Sequence, residues 1–287
     1  MLQSLVNGIL LGGLYAIIGI GMSLVFGIMR LTNLAHGDLM ILATYTTLTI
    51  VTSVTGNLWI AVAATILVMA VLGFLIQNFL VNRVLDKGSE PALLVTFGVS
   101  IFISNLLLKV FGADNKIIQN SLASKNVIST EHLSISAMYL FSFLVGIAVI
   151  LSLHYIMQKT YFGRSIRATS CDRMAAELNG VNTKRTFSYA MMVAMVTAAI
   201  AGVLVGSTFV FYPSSGTQYL IIAFGVVVIG GMGSLVGTLV GGIVLGVAQL
   251  MGGHIFGSAY QMLSGYIVLL LILAIRPNGL LSVGARK

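Results

Sequence analysis

Asn33, His36 and Asp38 fall within six consecutive positions, with apolar runs on both sides. Ionisable groups in apolar surroundings are costly and face protein or water rather than lipid. Asp38 stands where the following run begins, so its carboxylate suits an N-cap, accepting the free N–H groups of a first helical turn. The alternative is that it lines a path through the membrane. His36 is open to two readings as well: a proton couple with Asp38, or a ring bonded to a backbone carbonyl. A second polar interruption runs from Tyr212 to Gln218. Pro213 and Gly216 there suit a turn. A helix restarting after each interruption presents free N–H groups and its positive dipole end, which favour an anionic group. Asn33, His36, Gly37, Asp38, Pro213, Gly216, Thr217 and Gln218 are therefore the candidate lining of a substrate path. Reaction chemistry has little support. Ser234 is a serine among glycines, common where helices pack closely. No His-Glu-x-x-His occurs, and a catalytic site needs a constellation, not one residue. No catalytic residue, metal ligand or cofactor is expected.

The elements that must position these residues are apolar helices. Of 287 residues 58% are hydrophobic and 8% charged, with a mean hydropathy of +1.04. A soluble domain carries about a quarter charged residues. Apolar segments lie at 5–28, 39–54, 58–81, 91–111, 137–157, 186–211, 218–231, 234–251 and 258–275, and a bilayer crossing needs roughly 20 such residues. The fold class is an all-α integral membrane protein with about 8–10 transmembrane helices, arranged as one domain over 1–287. The first run is too long for a signal peptide's core and lacks a basic lead-in, so it reads as a retained helix. The net charge of +8 comes from basic residues in short loops, a positive-inside pattern rather than a nucleic-acid face. Cys171 is the single cysteine, so no intrachain disulfide forms.

Orientation follows from the loops. The 158–185 segment carries Lys159, Arg164, Arg167, Arg173, Lys184 and Arg185 against Asp172 and Glu177, and is expected in the cytoplasm. So are the 82–90 loop and the C-terminal tail, while the nearly charge-balanced 112–136 loop fits the outer side. A single helix over 218–251 would be about 51 Å long, too long for one upright span. Gly230-Gly231-Met232-Gly233-Ser234 breaks it into two. The N-terminus is then outside, with about nine crossings in all. The interruptions at Arg30–Asp38 and Tyr212–Gln218 each follow a long helix, and Gly37 aligns with Gly216. These are two interrupted helices in an inverted repeat, a recurrent way to build a substrate path near the membrane midplane.

Within 158–185, Asp172 to Gly180 reads as a short helix with an apolar face of Ala168, Met174, Ala175 and Leu178, stopped by Gly180 at the C′ position. An interfacial helix lying on anionic lipid would look similar. The paired alanines with a glycine four residues after the second resemble the coupling loop of ABC importer permeases, with Met174 where that family usually has an acidic residue. The stretch Phe26-Gly27-Ile28-Met29-Arg30-Leu31-Thr32-Asn33-Leu34-Ala35-His36-Gly37-Asp38 resembles the signature of the branched-chain amino-acid (LivH-type) permeases. Tyr212-Pro213-Ser214-Ser215-Gly216, Val228 to Ser234 and Arg276-Pro277-Asn278-Gly279-Leu280 are similar to that family too, in order along nearly the whole chain.

The resemblance implies a permease subunit of the inner or plasma membrane, multi-pass with a cytoplasmic C-terminus. Its implied partners are a homologous second permease subunit, two cytoplasmic ABC ATPase subunits, an extracytoplasmic substrate-binding protein and the lipid bilayer, with no nucleic acid. Arg164, Ala175, Ala176, Glu177 and Gly180 would then contact an ATPase subunit. Consistently, the sequence has no Gly-x-x-x-x-Gly-Lys-Ser/Thr phosphate loop, so ATP would be bound by another chain. The implied cargo is a branched-chain or other small hydrophobic amino acid. The alternatives are urea or a short amide, a proton-coupled secondary transporter using Asp38 and His36, and an intramembrane enzyme.

Overall fold

Every apolar run becomes a helix, because in lipid the backbone must satisfy its own hydrogen bonds. The computed structural model describes residues 1–120, 126–130 and 133–281. Nine long helices among them have the length and composition to cross a membrane: α1 (Leu2–Met29), α2 (His36–Thr55), α3 (Leu58–Lys87), α4 (Ser89–Phe111), α5 (Ala137–Lys159), then α8 (Thr183–Thr208), α9 (Pro213–Gly230), α10 (Leu235–Phe256) and α11 (Ser258–Ile275). Two shorter helices, α6 (Tyr161–Cys171) and α7 (Arg173–Leu178), lie between α5 and α8. The last turn of α2 is π-helical over Val51–Thr55, and α3 carries a π stretch over Ile76–Val81.

The helix boundaries correct the expected ones where the chemistry lies. α1 ends as Arg30 turns into the left-handed region at φ 52°, its N–H donating to the Phe26 carbonyl at 2.8 Å. The helix resumes at His36, so His36, Gly37 and Asp38 form its first turn rather than part of the interruption. The reason is Asn33, whose Oδ1 accepts the Ala35 N–H at 3.1 Å and turns the chain so that the helix starts three residues before Leu39. Likewise α9 starts with a 3-10 turn at Pro213, which brings Gly216, Thr217 and Gln218 inside the helix. The glycine break is where it was expected. Gly231 and Gly233 have φ of 105° and 84°, and α10 starts behind Ser234, whose Oγ accepts the Gly237 N–H at 3.0 Å. That cap explains Ser234 without any nucleophilic role.

Two features depart from the loop reading. The 82–90 segment is mostly the end of α3, which runs to Lys87 before turning at Gly88. Within the 112–136 loop, β1 (Asn126–Thr130) and β2 (Leu133–Ser136) pair antiparallel. β1 carries Val127, Ile128 and Thr130, β-branched residues that favour extended backbone.

Burial sorts the helices. In their apolar windows α1 is 89% and α8 78% buried within the chain, against 17% for α4 and 6% for α11. α1 and α8 are therefore the central pair, whereas α4 and α11 present apolar faces outward. α1 packs most extensively on α10, and α8 on α3; α1 and α8 touch each other, as do α2 and α9. Exchanging α1–α3 with α8–α10 leaves this pattern unchanged, as expected if two similar three-helix units are related by a two-fold axis. α1 is the first and α8 the sixth of the nine candidate spans, so crossing in turn they run in opposite directions. The α1–α10 contact is close because it is made by glycines: a Cβ on Gly242 would meet the Gly12 carbonyl oxygen, and one on Gly246 the Gly8 carbonyl. Small residues spaced by four let helix backbones approach in a membrane.

Candidate functional site

The two helix starts meet. A Cβ on Gly37 would run into the Gly216 carbonyl oxygen, and one on Gly216 would strike the Asp38 carboxylate. Only glycine at both positions lets α2 and α9 cross backbone to backbone, and either substitution would force them apart. The junction lies deep. His36 Nε2 bonds the carbonyl of Ile18, near the middle of α1, at 2.9 Å. Ser100, near the middle of α4, donates to Asp38 Oδ2 at 2.5 Å. The Leu34 N–H donates to Thr96 Oγ1, one turn away on α4, at 3.3 Å. Asn33 Nδ2 reaches the Met191 sulfur of α8 at 3.9 Å.

Asn33, His36, Gly37, Asp38, Pro213 and Gly216 are thus buried together around one crossing. Thr217 and Gln218 do not join them: Thr217 is exposed and Gln218 half-buried on α9. Asp38 is not an N-cap, since Ala35 occupies that position and the carboxylate bonds across to α4. Nor do His36 and Asp38 bond to each other. The imidazole is held by a backbone carbonyl and the carboxylate by a hydroxyl, so the proton couple has no direct link. His36 Nδ1 and Ser23 Oγ, both buried, find no partner among the described residues. The residues missed from sequence are Ser100 and Thr96. Their signal was present, two hydroxyls four apart in an apolar helix, but nothing local says which helix they meet.

A second assembly sits beyond the ends of α3 and α8. Asp172 caps α7, accepting the Ala175 N–H at 3.0 Å. The helix ends in a Schellman turn: Gly180, at φ 81°, donates to Glu177 and Val181 to Ala176, each at 3.0 Å. Ala176 faces inward, whereas Ala175 is exposed, as are Met174 at 74% and Leu178 at 84%. One turn apart, Met174 and Leu178 form a small apolar knob. Behind it Arg173 reaches Asp86 of α3 at 2.7 Å and Glu177 at 3.2 Å, and Lys184 of α8 reaches Asp86 at 3.1 Å. Thr183 Oγ1 donates to Glu177 at 2.5 Å. That hydroxyl, with Arg173 beside it, holds the Glu177 carboxyl below its ordinary value, so it is ionised at neutral pH. Arg164 lies apart on α6, its guanidinium over the Tyr161 ring. Asp86 was missed: in sequence it is one acid between Arg83 and Lys87, and only the fold shows that it joins α3, α7 and α8.

A family model described as branched-chain amino acid transport system / permease component matches residues 4–275. The high-affinity branched-chain amino acid transport system permease protein BraD of Pseudomonas aeruginosa is 31% identical over 98% of this chain and 95% of its own length. Its counterpart LivH of Escherichia coli is 29% identical over 98% of this chain and 95% of its own. Among solved structures, PsaBC from Streptococcus pneumoniae in complex with Fab superposes with a TM-score of 0.50 over 96% of this chain and 91% of that chain. At 15% identity this likeness speaks for the fold alone.

Proposed function

Given that this chain belongs to the family of branched-chain amino acid transport system permease components, we propose that it carries branched-chain amino acids across the inner membrane as one of two permease subunits. Permeases of this family are transport subunits rather than enzymes, and work with ATPase and binding-protein partners. In this reading the chain, one domain throughout, pairs with a homologous permease, two ATPase subunits sit on the cytoplasmic side, and the C-terminus is cytoplasmic with them. The observation that carries it is the buried crossing of two helix starts at Gly37 and Gly216. Broken helices meeting at mid-depth are a hinge as well as a binding element, because α2 and α9 can pivot there without breaking backbone hydrogen bonds.

Because Asn33, His36 and Asp38 are buried within the chain, the path itself lies along a face completed by the second permease. The exposed Thr217 at the start of α9 and the half-buried Gln218 next to it, with the exposed Tyr212 and Ser214 before them, are polar groups of that region available to it. The knob of Met174 and Leu178, rimmed by charge, is the contact for an ATPase subunit, with Ala175, Ala176, Glu177 and Gly180 shaping it. Arg164, on α6, borders the same surface. Motion there reaches the crossing through Asp86, the turn at Gly88 and α4, which holds Asp38 through Ser100.

The test is purification of the chain with its neighbouring gene products, followed by ATPase assays with loaded binding protein. Leucine, isoleucine and valine are expected to stimulate hydrolysis and urea to leave it at the basal rate. Stimulation by urea alone would overturn the substrate assignment. Ala176→Glu is expected to abolish transport while the subunits still reach the membrane; normal transport by that variant would remove α7 as the coupling element.

A further inference from the structure

At the outer end of α2 and α4 lies an open cleft of about 540 Å³, within the range of about 300–1,000 Å³ typical of small-molecule sites. One wall is the last turns of α2, with Thr49, Thr52 and Ser53; the other is the segment after α4, with Asp114 and Lys116; Phe111 contributes the apolar part. The two charges are opposite and neither forms an ion pair with any described residue; the Lys116 ammonium lies over the Phe111 ring, 5.8 Å from its centroid. Their frame is firm. Lys116 exchanges backbone hydrogen bonds with Phe211 at 2.9 Å each way, and Phe111 stacks on Tyr45 at 4.4 Å between ring centroids. Tyr45 is itself buried under the cleft, with a hydroxyl that has no partner among the described residues. The wall on α2 ends in the π turn Val51–Thr55, a distortion frequent at functional positions.

We infer that this cleft is a reception site for a free zwitterionic amino acid. The α-ammonium lies against the Asp114 carboxylate and the hydroxyl oxygens of Thr49 and Thr52, the α-carboxylate against the Lys116 ammonium, and the aliphatic side chain against Phe111. Thr49 and Thr52 spend their hydroxyl protons on the Tyr45 and Leu48 carbonyls, so their oxygens face an incoming ligand as acceptors, as an ammonium requires. A single acid and a single base held apart match a molecule that carries one charge of each sign on adjacent groups. A neutral amide would offer no charge to Asp114 and would leave the Lys116 ammonium with the Phe111 ring alone. The site takes its cargo class from the transport reading and adds the place where that cargo first meets this chain.

The experiment uses the complete transporter in nanodiscs. Ligand-detected NMR saturation transfer reads binding of leucine, of leucinamide (no carboxylate) and of 4-methylpentanoate (no ammonium). Wild-type transporter is expected to prefer leucine to both analogues by about fivefold or more, since each loses one charge-assisted contact. Asp114→Asn removes the preference over 4-methylpentanoate only, and Lys116→Gln the preference over leucinamide only. Equal binding of the three ligands to wild type, or preferences untouched by either substitution, overturns the inference. So does a result in which the substitutions weaken only the affinity for the binding protein, because Asp114 and Lys116 would then be docking residues. Leucine uptake by the wild-type transporter, measured in parallel, separates the two claims: without uptake the transport reading fails, and with uptake but no charge-specific pattern only the reception site fails.

Discussion

Asp38 keeps a carboxylate buried at the crossing of two helices, and Ser100 supplies the hydroxyl that answers it. Removing the hydroxyl leaves a buried acceptor unpaired, a loss of about 1–3 kcal/mol. Ser100→Ala is therefore expected to lower the thermal unfolding midpoint of the purified protein, and Ser100→Thr to restore it. Asp38→Ala removes the charge as well as the bond. If the crossing acts as a hinge, transport falls by about tenfold or more even in a preparation whose midpoint is within a few degrees of wild type. A fall in midpoint with transport intact would reduce Asp38 to a structural residue. His36 shows the opposite balance: its ring is held by the Ile18 carbonyl, a tie between α1 and α2 that calls for no proton transfer.

Among the elements, α7 is too short to be stable alone and is held from both ends and from behind. Asp172 caps its start, Gly180 its end, and the Asp86–Arg173–Glu177 cluster fixes it against α3 and α8. Exposed ion pairs add little to stability, so Asp86 matters for where α7 points. Asp86→Ala is expected to leave the folded protein in the membrane but to weaken the link between ATP hydrolysis and transport, with Asp86→Glu recovering most of it. The readout is amino acid moved per ATP hydrolysed in proteoliposomes. An unchanged ratio for the alanine variant would show that the knob is positioned without α3. The short helix and its glycine stop were legible in sequence because capping residues act within a few positions. The eleven residues of α6 were not distinguished from loop there, since their polar and small side chains carry little hydropathy signal.

For the whole molecule, orientation is the property most directly open to measurement. Cys171 is the single cysteine of the chain and is exposed at the end of α6. A membrane-impermeant maleimide is expected to label it in inside-out vesicles and not in intact cells. In the Cys171→Ser background, Asn115→Cys should label from the outside only. Labelling of Cys171 from outside would invert the topology and place the cleft at Asp114 on the wrong face. The spans, the glycine break at Gly231–Gly233 and the two interruptions could all be read from the sequence, because hydropathy and backbone freedom are local quantities that add along the chain. What only the tertiary structure decided is which interruptions meet. That Gly37 lies on Gly216, that Ser100 answers Asp38, and that Asp86 joins α3 to α7 and α8 each depend on helices far apart in sequence. Their pairing is set by close packing of whole helix faces, and no short stretch of residues encodes it.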